Sequence, residues 1–195
     1  MKQLIIGALV SAVAIFVWGF LFWALLSSPN DLASQEDELA LQQSLAEHLP
    51  RSGMYYVPSM DEQSDTYAER HRSGPIATIF VRLEGAEPMS PVSLLVGLLH
   101  EAIFAFMVGL LLLMAMPALG SYRRRVLFVT VAGVAAAFWF ELADPIWWYH
   151  PWGFHLANAF YSVVAWFIAG LILARFLRPT TEMRMRTPSP ATTAA

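Results

Sequence analysis

Four long apolar segments dominate the pattern of hydrophobic and polar residues along this chain. They cover residues 4–26, 92–116, 126–143 and 156–177. Each is close to the roughly 20 residues that a helix needs to cross a bilayer. The composition agrees, because 57% of the residues are hydrophobic and only 14% are charged, against about 25% charged in an average soluble domain. The pattern predicts a membrane all-α fold with four transmembrane helices.

The polar stretch between the first two apolar segments predicts a small α+β extracytoplasmic domain over residues 27–91. Asn30 can cap a helix over residues 31–49, and Pro50 stops it. Residues 54–57 and 76–83 are rich in β-branched and aromatic types, which is typical of strands, and residues 61–72 fit a short helix between them. A unit of about 65 residues makes a marginal core by itself. We therefore expect it to lean on the membrane helices or on a partner.

The charges are segregated along the chain in a way that predicts its topology. Residues 27–91 hold eleven of the fifteen acidic residues and four arginines, a net charge of −7. The other eight basic residues flank the apolar segments, namely Lys2, Arg123, Arg124, Arg125, Arg175, Arg178, Arg184 and Arg186. Cytoplasmic connections carry the excess of Lys and Arg. Both termini are therefore expected in the cytoplasm, with residues 27–91 and 144–153 outside it.

Four regions follow from these boundaries: an N-terminal transmembrane anchor (1–26), the acidic domain (27–91), a three-helix transmembrane bundle (92–178) and a disordered cytoplasmic tail (179–195). The first segment is interpreted as a retained anchor, because its 23 residues exceed the roughly 7 to 15 of a cleaved signal sequence. One Lys against eleven Arg favours a GC-rich bacterial genome. The expected location is thus the bacterial inner membrane, with residues 27–91 and 144–153 in the periplasm. The absence of cysteine excludes disulfides and thiolate chemistry.

The ionisable residues of the last three apolar segments fall toward the ends predicted to lie outside. His100 and Glu101 lie in the second segment. Glu141 and Asp144, three residues apart, share a face at the end of the third, and His155 begins the fourth. Ionisable groups within a membrane face the bundle interior and pair with one another. We therefore expect these groups to meet in the outer half of the bundle.

Two imidazoles with two or three carboxylates form a ligand set that suits a transition metal such as zinc, iron, copper or manganese. The predicted metal ligands are His100, Glu101, Glu141, Asp144 and His155, with His150 of the neighbouring loop as a further candidate. Adjacent residues on a helix point about 100° apart, so His100 and Glu101 cannot both be central to one small site. Two other interpretations stay open: hydrogen-bonded packing between helices, or a path for protons or ions.

Aromatic residues crowd the connection between the third and fourth segments. Residues 144–153 contain three tryptophans, one tyrosine and two prolines. The connection fits an ordinary aromatic belt at the membrane interface. It also fits a lid over the acidic and histidine residues, or an anchor for another subunit, because Trp and Tyr dominate interface hot spots.

Small residues recur at a spacing of four in every apolar segment. The pairs are Gly7 with Ser11, Ala105 with Gly109, Gly133 with Ala137, and Ala165 with Ala169. Such pairs let helices approach closely. A pair left on an outward face would mark a contact with another chain.

Three short motifs carry a resemblance to known proteins. They are the loop Asp144-Pro145-Ile146-Trp147-Trp148-Tyr149, the strand entry Gly74-Pro75, and the charged turn Tyr122-Arg123-Arg124-Arg125. With these motifs the chain resembles a group of bacterial four-helix inner-membrane proteins that have one N-terminal anchor, a small periplasmic α/β domain and three C-terminal helices. The resemblance covers most of residues 1–178. It implies topology and no activity, and the His100-Glu101 pair is not a feature of that group.

The expected role is an accessory or assembly subunit of a larger inner-membrane complex, because the chain is small and has no catalytic motif. Its expected partners are membrane lipids and other membrane-protein subunits or further copies of itself, and no nucleic acid. The first alternative is a small metal-dependent membrane enzyme or redox protein that uses the predicted ligands. The second is a proton-coupled carrier, which the lack of ionisable groups in the inner half disfavours.

Overall fold

The structure is a computed structural model that describes residues 1–26, 35–59 and 65–178. Four helices are long: α1 (Lys2–Leu21), α4 (Pro91–Ala115), α5 (Tyr122–Glu141) and α7 (Trp152–Phe176). The shorter elements are α2 (Gln35–His48), β1 (Gly53–Val57), α3 (Asp65–Ser73), β2 (Ala77–Val81) and α6 (Ala143–Trp147). A π-helical turn over Phe22–Leu26 extends α1, and a 3-10 turn over Met116–Ala118 follows α4. The predicted cap at Asn30 and the tail 179–195 lie outside the described residues.

The prediction of four helices long and apolar enough to cross a membrane is confirmed. The spans run over Lys2–Leu25, Pro91–Ala118, Tyr122–Trp147 and Trp152–Phe176. Each helix leaves many large apolar side chains exposed on the surface of the bundle, among them Leu9, Leu95, Met107, Leu127 and Phe160. A surface of this kind is stable where hydrocarbon, not water, surrounds it.

Helix α1 is central to the bundle. It packs against α4 on one side and α7 on the other, and α7 packs in turn against α5. The main contacts thus run in the order α4, α1, α7, α5. Most of the largest fully buried side chains, including Leu4, Leu112, Val129 and Leu173, lie in the half of the bundle where α1 and α5 begin. The other half, where α4 and α7 begin, is packed more loosely and holds most of the polar residues; we call it the sheet end.

All four pairs of small residues lie inside this bundle. Each of the eight residues is buried. Gly133 faces the Trp166 side chain and Gly109 faces Leu4, so closely that a methyl group at either glycine would overlap its neighbour. Because the pairs are used for packing within one chain, none of them marks a contact with a second chain.

The predicted strands between α1 and α4 form a two-stranded sheet, which together with α3 we call the sheet unit. The strands β1 and β2 pair antiparallel, from Gly53 opposite Val81 to Val57 opposite Ala77. This unit leans on the connection between α5 and α7, as its size led us to expect. The Tyr56 ring stacks on Trp148 with centroids 5.1 Å apart, and His71 meets the Tyr149 ring at 5.4 Å.

At the opposite end of the bundle, one of the arginines has a structural role. Arg125 is buried, and its guanidinium donates hydrogen bonds to the carbonyl of Leu177 and to that of Ser121. Helix α7 ends at Phe176, so the first of these bonds satisfies a carbonyl that has no partner within a helix. Arg125 thereby fastens the end of α7 to the start of α5.

Candidate metal centre

Three potential metal ligands converge at the sheet end: Asp144, His150 and His155. One ligand atom from each lies within 4.8 Å of the other two, and no other group of three such residues meets this condition in the described part of the chain. The three side chains come from α6, from the connection after it, and from the first turn of α7. The cluster is therefore a product of the fold at the α5–α7 junction.

The three side chains converge because the chain leaves the helical conformation between α5 and α6 and again between α6 and α7. Helix α5 ends at Glu141 and α6 begins at Ala143, so Asp144 lies three residues beyond Glu141 on a separate short helix. After α6, Tyr149 has φ 59°, the left-handed conformation that residues with a Cβ rarely adopt. This reversal brings His150 back toward α7, which begins at Trp152, so that His150 and His155 stack with ring centroids 5.3 Å apart.

The two imidazoles present nitrogens to each other at a distance that suits a shared metal ion. His150 Nδ1 lies 3.2 Å from His155 Nε2. Two nitrogen ligands of a tetrahedral zinc ion, each about 2.0–2.1 Å from the metal, are separated by about 3.3 Å. The Asp144 carboxylate is 3.9 Å from His150 Nδ1. For Asp144 to act as a third ligand of the same ion, that half-exposed side chain would rotate toward the two imidazoles.

The far nitrogen of each imidazole also faces an oxygen. His150 Nε2 lies 3.0 Å from the Thr78 hydroxyl of β2, and His155 Nδ1 lies 4.0 Å from the Glu141 carboxylate. A lone pair facing a carboxylate is repelled, so the Glu141 carboxylate favours the tautomer of His155 with its proton on Nδ1, and that tautomer leaves Nε2 free as a ligand. Partners of this kind, which fix the tautomer and orientation of a ligating histidine, accompany most protein metal sites.

The His155 side chain is buried, and a buried nitrogen without a hydrogen-bond partner is costly. Its side chain is only 7% exposed, and Phe154 packs its ring edge-on against it. Among the described residues, His155 Nδ1 is the one buried side-chain nitrogen or oxygen atom that has no hydrogen-bond partner within bonding distance. Such atoms are rare in folded proteins because leaving one unpaired costs about 1–3 kcal/mol. Glu141 is the group positioned to satisfy it after a small movement.

A cavity of about 470 Å³ opens beside the cluster. Its walls include Ile76 and Phe80 from the sheet unit and Trp148 and Phe154 from the α6–α7 connection. A metal bound by Asp144, His150 and His155 would have three protein ligands. Zinc sites with three protein ligands keep a fourth position for water or substrate, and this is the arrangement found in catalytic centres.

The same contacts also permit a metal-free arrangement. His150 Nδ1–H can donate to His155 Nε2, and the Thr78 hydroxyl can then donate to His150 Nε2. This chain of hydrogen bonds would satisfy both nitrogens of His150 and Nε2 of His155, and it would act as structural packing, which is one of the interpretations the sequence left open. The two arrangements differ in one observable respect, because only the first binds a metal ion.

The structure distributes the five predicted ligands over two places. Asp144 and His155 belong to the cluster, and Glu141 lies against it. His100 and Glu101 lie together on α4, with 3.8 Å between Nδ1 and Oε1, and line a separate cavity beside α1. The reason is the order of the helices, which places α1 and α7 between α4 and α5.

The sequence predicts His150 only as a further candidate ligand, and it does not predict a role for Thr78. A signal that points to His150 is its spacing of five residues from His155, with Pro151 between them. Nothing in the sequence pointed to Thr78, because it is 72 residues away from its partner and sits in an ordinary strand pattern.

A proposal of function for this chain rests on the geometry of the site. No protein-family model, curated protein or solved structure matches the chain.

Proposed function

We propose that this protein is a multi-pass membrane protein with a metal-dependent activity at its sheet end. The single observation that carries the metal is the 3.2 Å approach of His150 Nδ1 to His155 Nε2, with an oxygen facing the far nitrogen of each ring. Nitrogen and carboxylate ligands in a tetrahedral arrangement suit zinc best among the common divalent metals. The ligands are Asp144, His150 and His155.

Membrane insertion and its orientation are part of the proposal. The four apolar spans support insertion. Lys2 at the start of α1, Arg123 and Arg124 at the start of α5, and Arg175 at the end of α7 all lie at the end opposite the sheet. Because positive charges favour the cytoplasmic side, the sheet end and residues 35–59 and 65–90 lie on the outer side. The bacterial inner membrane remains the compartment that we propose.

The open coordination position defines the class of reaction. A metal ion with three protein ligands and one open position polarises an oxygen of the substrate or activates a bound water molecule. The cavity beside it is walled by aromatic and aliphatic side chains and lies at the level where the apolar helices end. We therefore propose hydrolysis of the polar portion of an amphiphile that reaches the site from the outer leaflet.

The decisive experiment is elemental analysis of protein purified in mild detergent. The wild type should retain close to one zinc or similar metal ion per chain, and His150→Gln should lose it. His100→Gln is the matched control, because it removes an imidazole at the same end of the bundle without touching the cluster. A metal-free wild type that also fails to bind added zinc would overturn the proposal.

An accessory role in a larger complex remains a second proposal, supported by one surface. Phe138, Trp139, Phe140 and Trp147 are all exposed on neighbouring turns of α5 and α6, and aromatic residues of this density are typical of protein interfaces. Extraction in mild detergent should then bring down a partner in fixed stoichiometry, and the Trp139→Ala/Trp147→Ala variant should release it. A monodisperse single species in several detergents would contradict this role.

The proton-coupled carrier stays a prediction. Its support would be flux into liposomes that depends on Glu101, since that residue is the carboxylate nearest the middle of α4.

A further inference from the structure

A second cavity, distinct from the metal centre, lies between α1 and α4. Its volume is about 430 Å³, and its lining shares no residue with the cavity beside the metal cluster. The walls are mostly apolar, with Phe16, Phe20 and Trp23 contributed by α1 and its π-helical extension. Three polar side chains reach into it, namely His100, Glu101 and Tyr161. We call this cavity the lateral groove.

Two glycines and a tryptophan shape the lateral groove. A methyl group at Gly19 would come within 3.1 Å of the Tyr161 hydroxyl, and one at Gly97 would reach Phe16 at 3.7 Å. The Trp18 ring stacks on Tyr161, and its Nε1–H donates to the Tyr161 carbonyl at 3.1 Å. Tyr161 is thereby fixed with its hydroxyl beside α1, in the space that Gly19 leaves free.

The polar residues of the groove lie at a depth where they need a partner. His100 is nine residues after the start of α4 at Pro91, which is about 13 Å along the helix axis. Its side chain is 77% exposed, and its ion-pair neighbour Glu101 is 18% exposed. In a membrane-spanning helix, ionisable groups almost always face the bundle interior or a polar partner because exposure to hydrocarbon is costly. Among the residues that the structure describes, Glu101 is the ion-pair partner of His100, and most of the imidazole is left for a ligand with hydrogen-bonding groups to cover.

The geometry points to a quinone or quinol with a long isoprenoid tail as the ligand of the lateral groove. Phospholipid headgroups are charged and stay at the surface, about 13 Å above His100 by the same helix rise. A quinone ring is uncharged, flat and carries oxygens on opposite edges, so it can lie within the hydrocarbon. His100 and Tyr161 can donate to its carbonyl oxygens, and the Glu101 carboxylate can accept from a quinol hydroxyl. This inference rests on the proposed membrane insertion and is independent of the metal.

The shape of the groove agrees with such a ligand. A volume of about 430 Å³ falls within the range of about 300–1,000 Å³ for small-molecule sites, which are typically apolar with a few placed polar groups. The aromatic rings of Phe16, Phe20 and Trp23 offer faces and edges to a flat ring. The groove opens on the side of the bundle, between two helices, so the isoprenoid tail can remain among the lipid chains.

The test is a titration of the purified protein with decylubiquinone and with its reduced quinol, followed by quenching of tryptophan fluorescence. Wild type should show saturable binding. His100→Leu, Glu101→Gln and Tyr161→Phe should each weaken the affinity for one or both forms about tenfold, the effect of one lost hydrogen bond to a charged or desolvated group. His150→Gln, which alters only the metal cluster, should bind like wild type.

Two results would overturn the inference. The first is linear, unsaturable quenching that is the same in wild type and His100→Leu. The second is a wild-type dimer that His100→Leu converts into a monomer without any quinone binding, which would make the groove an interface between copies of this chain. Because metal content is measured separately, a protein that binds zinc and no quinone refutes only this inference, and one that binds quinone and no zinc refutes only the metal centre.

Discussion

His155 and His100 lie on different helices near the same end of the bundle, and their surroundings are opposite. The His155 side chain is 7% exposed, and residues from three other elements or connections face or pack against it. The His100 side chain is 77% exposed, and its ion-pair partner among the described residues is its own neighbour, Glu101, at 3.8 Å. The first imidazole is held in place before any ligand arrives, whereas the second is free to turn toward one.

The difference in exposure indicates which kind of ligand each histidine suits. A buried imidazole with both nitrogens facing other groups is preorganised, which is what a tightly bound metal requires. An exposed imidazole beside a groove loses rotational freedom only when a ligand binds, which suits a molecule that exchanges with the surrounding lipid. We therefore expect strong and selective effects at the metal centre and moderate effects at the lateral groove.

The largest expected effect comes from removing both imidazoles of the metal centre. The double variant His150→Gln/His155→Gln should lower zinc affinity by more than about a hundredfold, since a change in an outer partner alone costs about 10- to 100-fold. Isothermal titration with zinc in detergent measures this loss. The comparison between the two histidine sites would fail if His100→Gln lost as much affinity as the double variant.

A smaller loss should follow from removing the charge opposite His155. Glu141→Gln keeps the shape of the side chain and removes the negative charge that faces Nδ1–H, so zinc affinity should fall about tenfold. Glu101→Gln removes a carboxylate from the other site and serves as its control. Equal affinities in wild type and Glu141→Gln would mean that the 4.0 Å separation is not closed when metal binds.

The contact between the sheet unit and the metal centre can be tested at one hydroxyl. Thr78→Val preserves the β-branched shape in β2 and removes the partner of His150 Nε2, so we expect a severalfold to tenfold loss of zinc affinity. Thr78→Ser retains the hydroxyl and should behave like wild type. If the valine variant is unaffected, His150 is oriented by its connection alone.

The smallest expected effect concerns a hydrogen bond beside the two strands, at a distance from the metal centre. The Ser52 hydroxyl donates to the Glu84 carboxylate at 2.6 Å, and this bond, followed by a backbone hydrogen bond and by Arg82, lowers the pKa of Glu84. A lowered pKa stabilises the folded unit at neutral pH, and the contribution is lost as pH falls through that lowered value. Ser52→Ala should raise the pKa of Glu84 toward its ordinary value in an NMR titration. Zinc affinity should not change, because this contact lies outside the metal cluster.

Much of the fold could be predicted because its signals are local. The apolar segments, the strand at residues 54–57 and the stop at Pro50 each follow from residue types over a short window. The observed helix limits differ from the predicted ones by a few residues. The sequence does not predict the short helix α6, because residues 144–153 have the pattern of a loop. It does not predict the end of α5 at Glu141 either, because the residue after it is Leu142 and not a glycine or proline.

The candidate site could be predicted only in part because its contacts are not local. The sequence indicates that His155 and Asp144 lie at the same end of the bundle. It does not indicate that α1 and α7 separate α4 from α5, which is why His100 and Glu101 were expected beside the other ligands. The approach of Thr78 to His150 depends on the docking of a strand onto a helix connection, and no pattern within either segment encodes it.

X-ray absorption spectroscopy of the zinc-loaded protein tests the central claim most directly. The metal centre predicts two imidazole nitrogens at about 2.0–2.1 Å, with oxygen ligands completing a four-coordinate shell. His155→Gln should remove one imidazole from the spectrum or abolish loading, while His100→Gln should leave the spectrum unchanged. A zinc ion surrounded by oxygen alone, or a spectrum that changes with His100 and not with His155, would contradict the account.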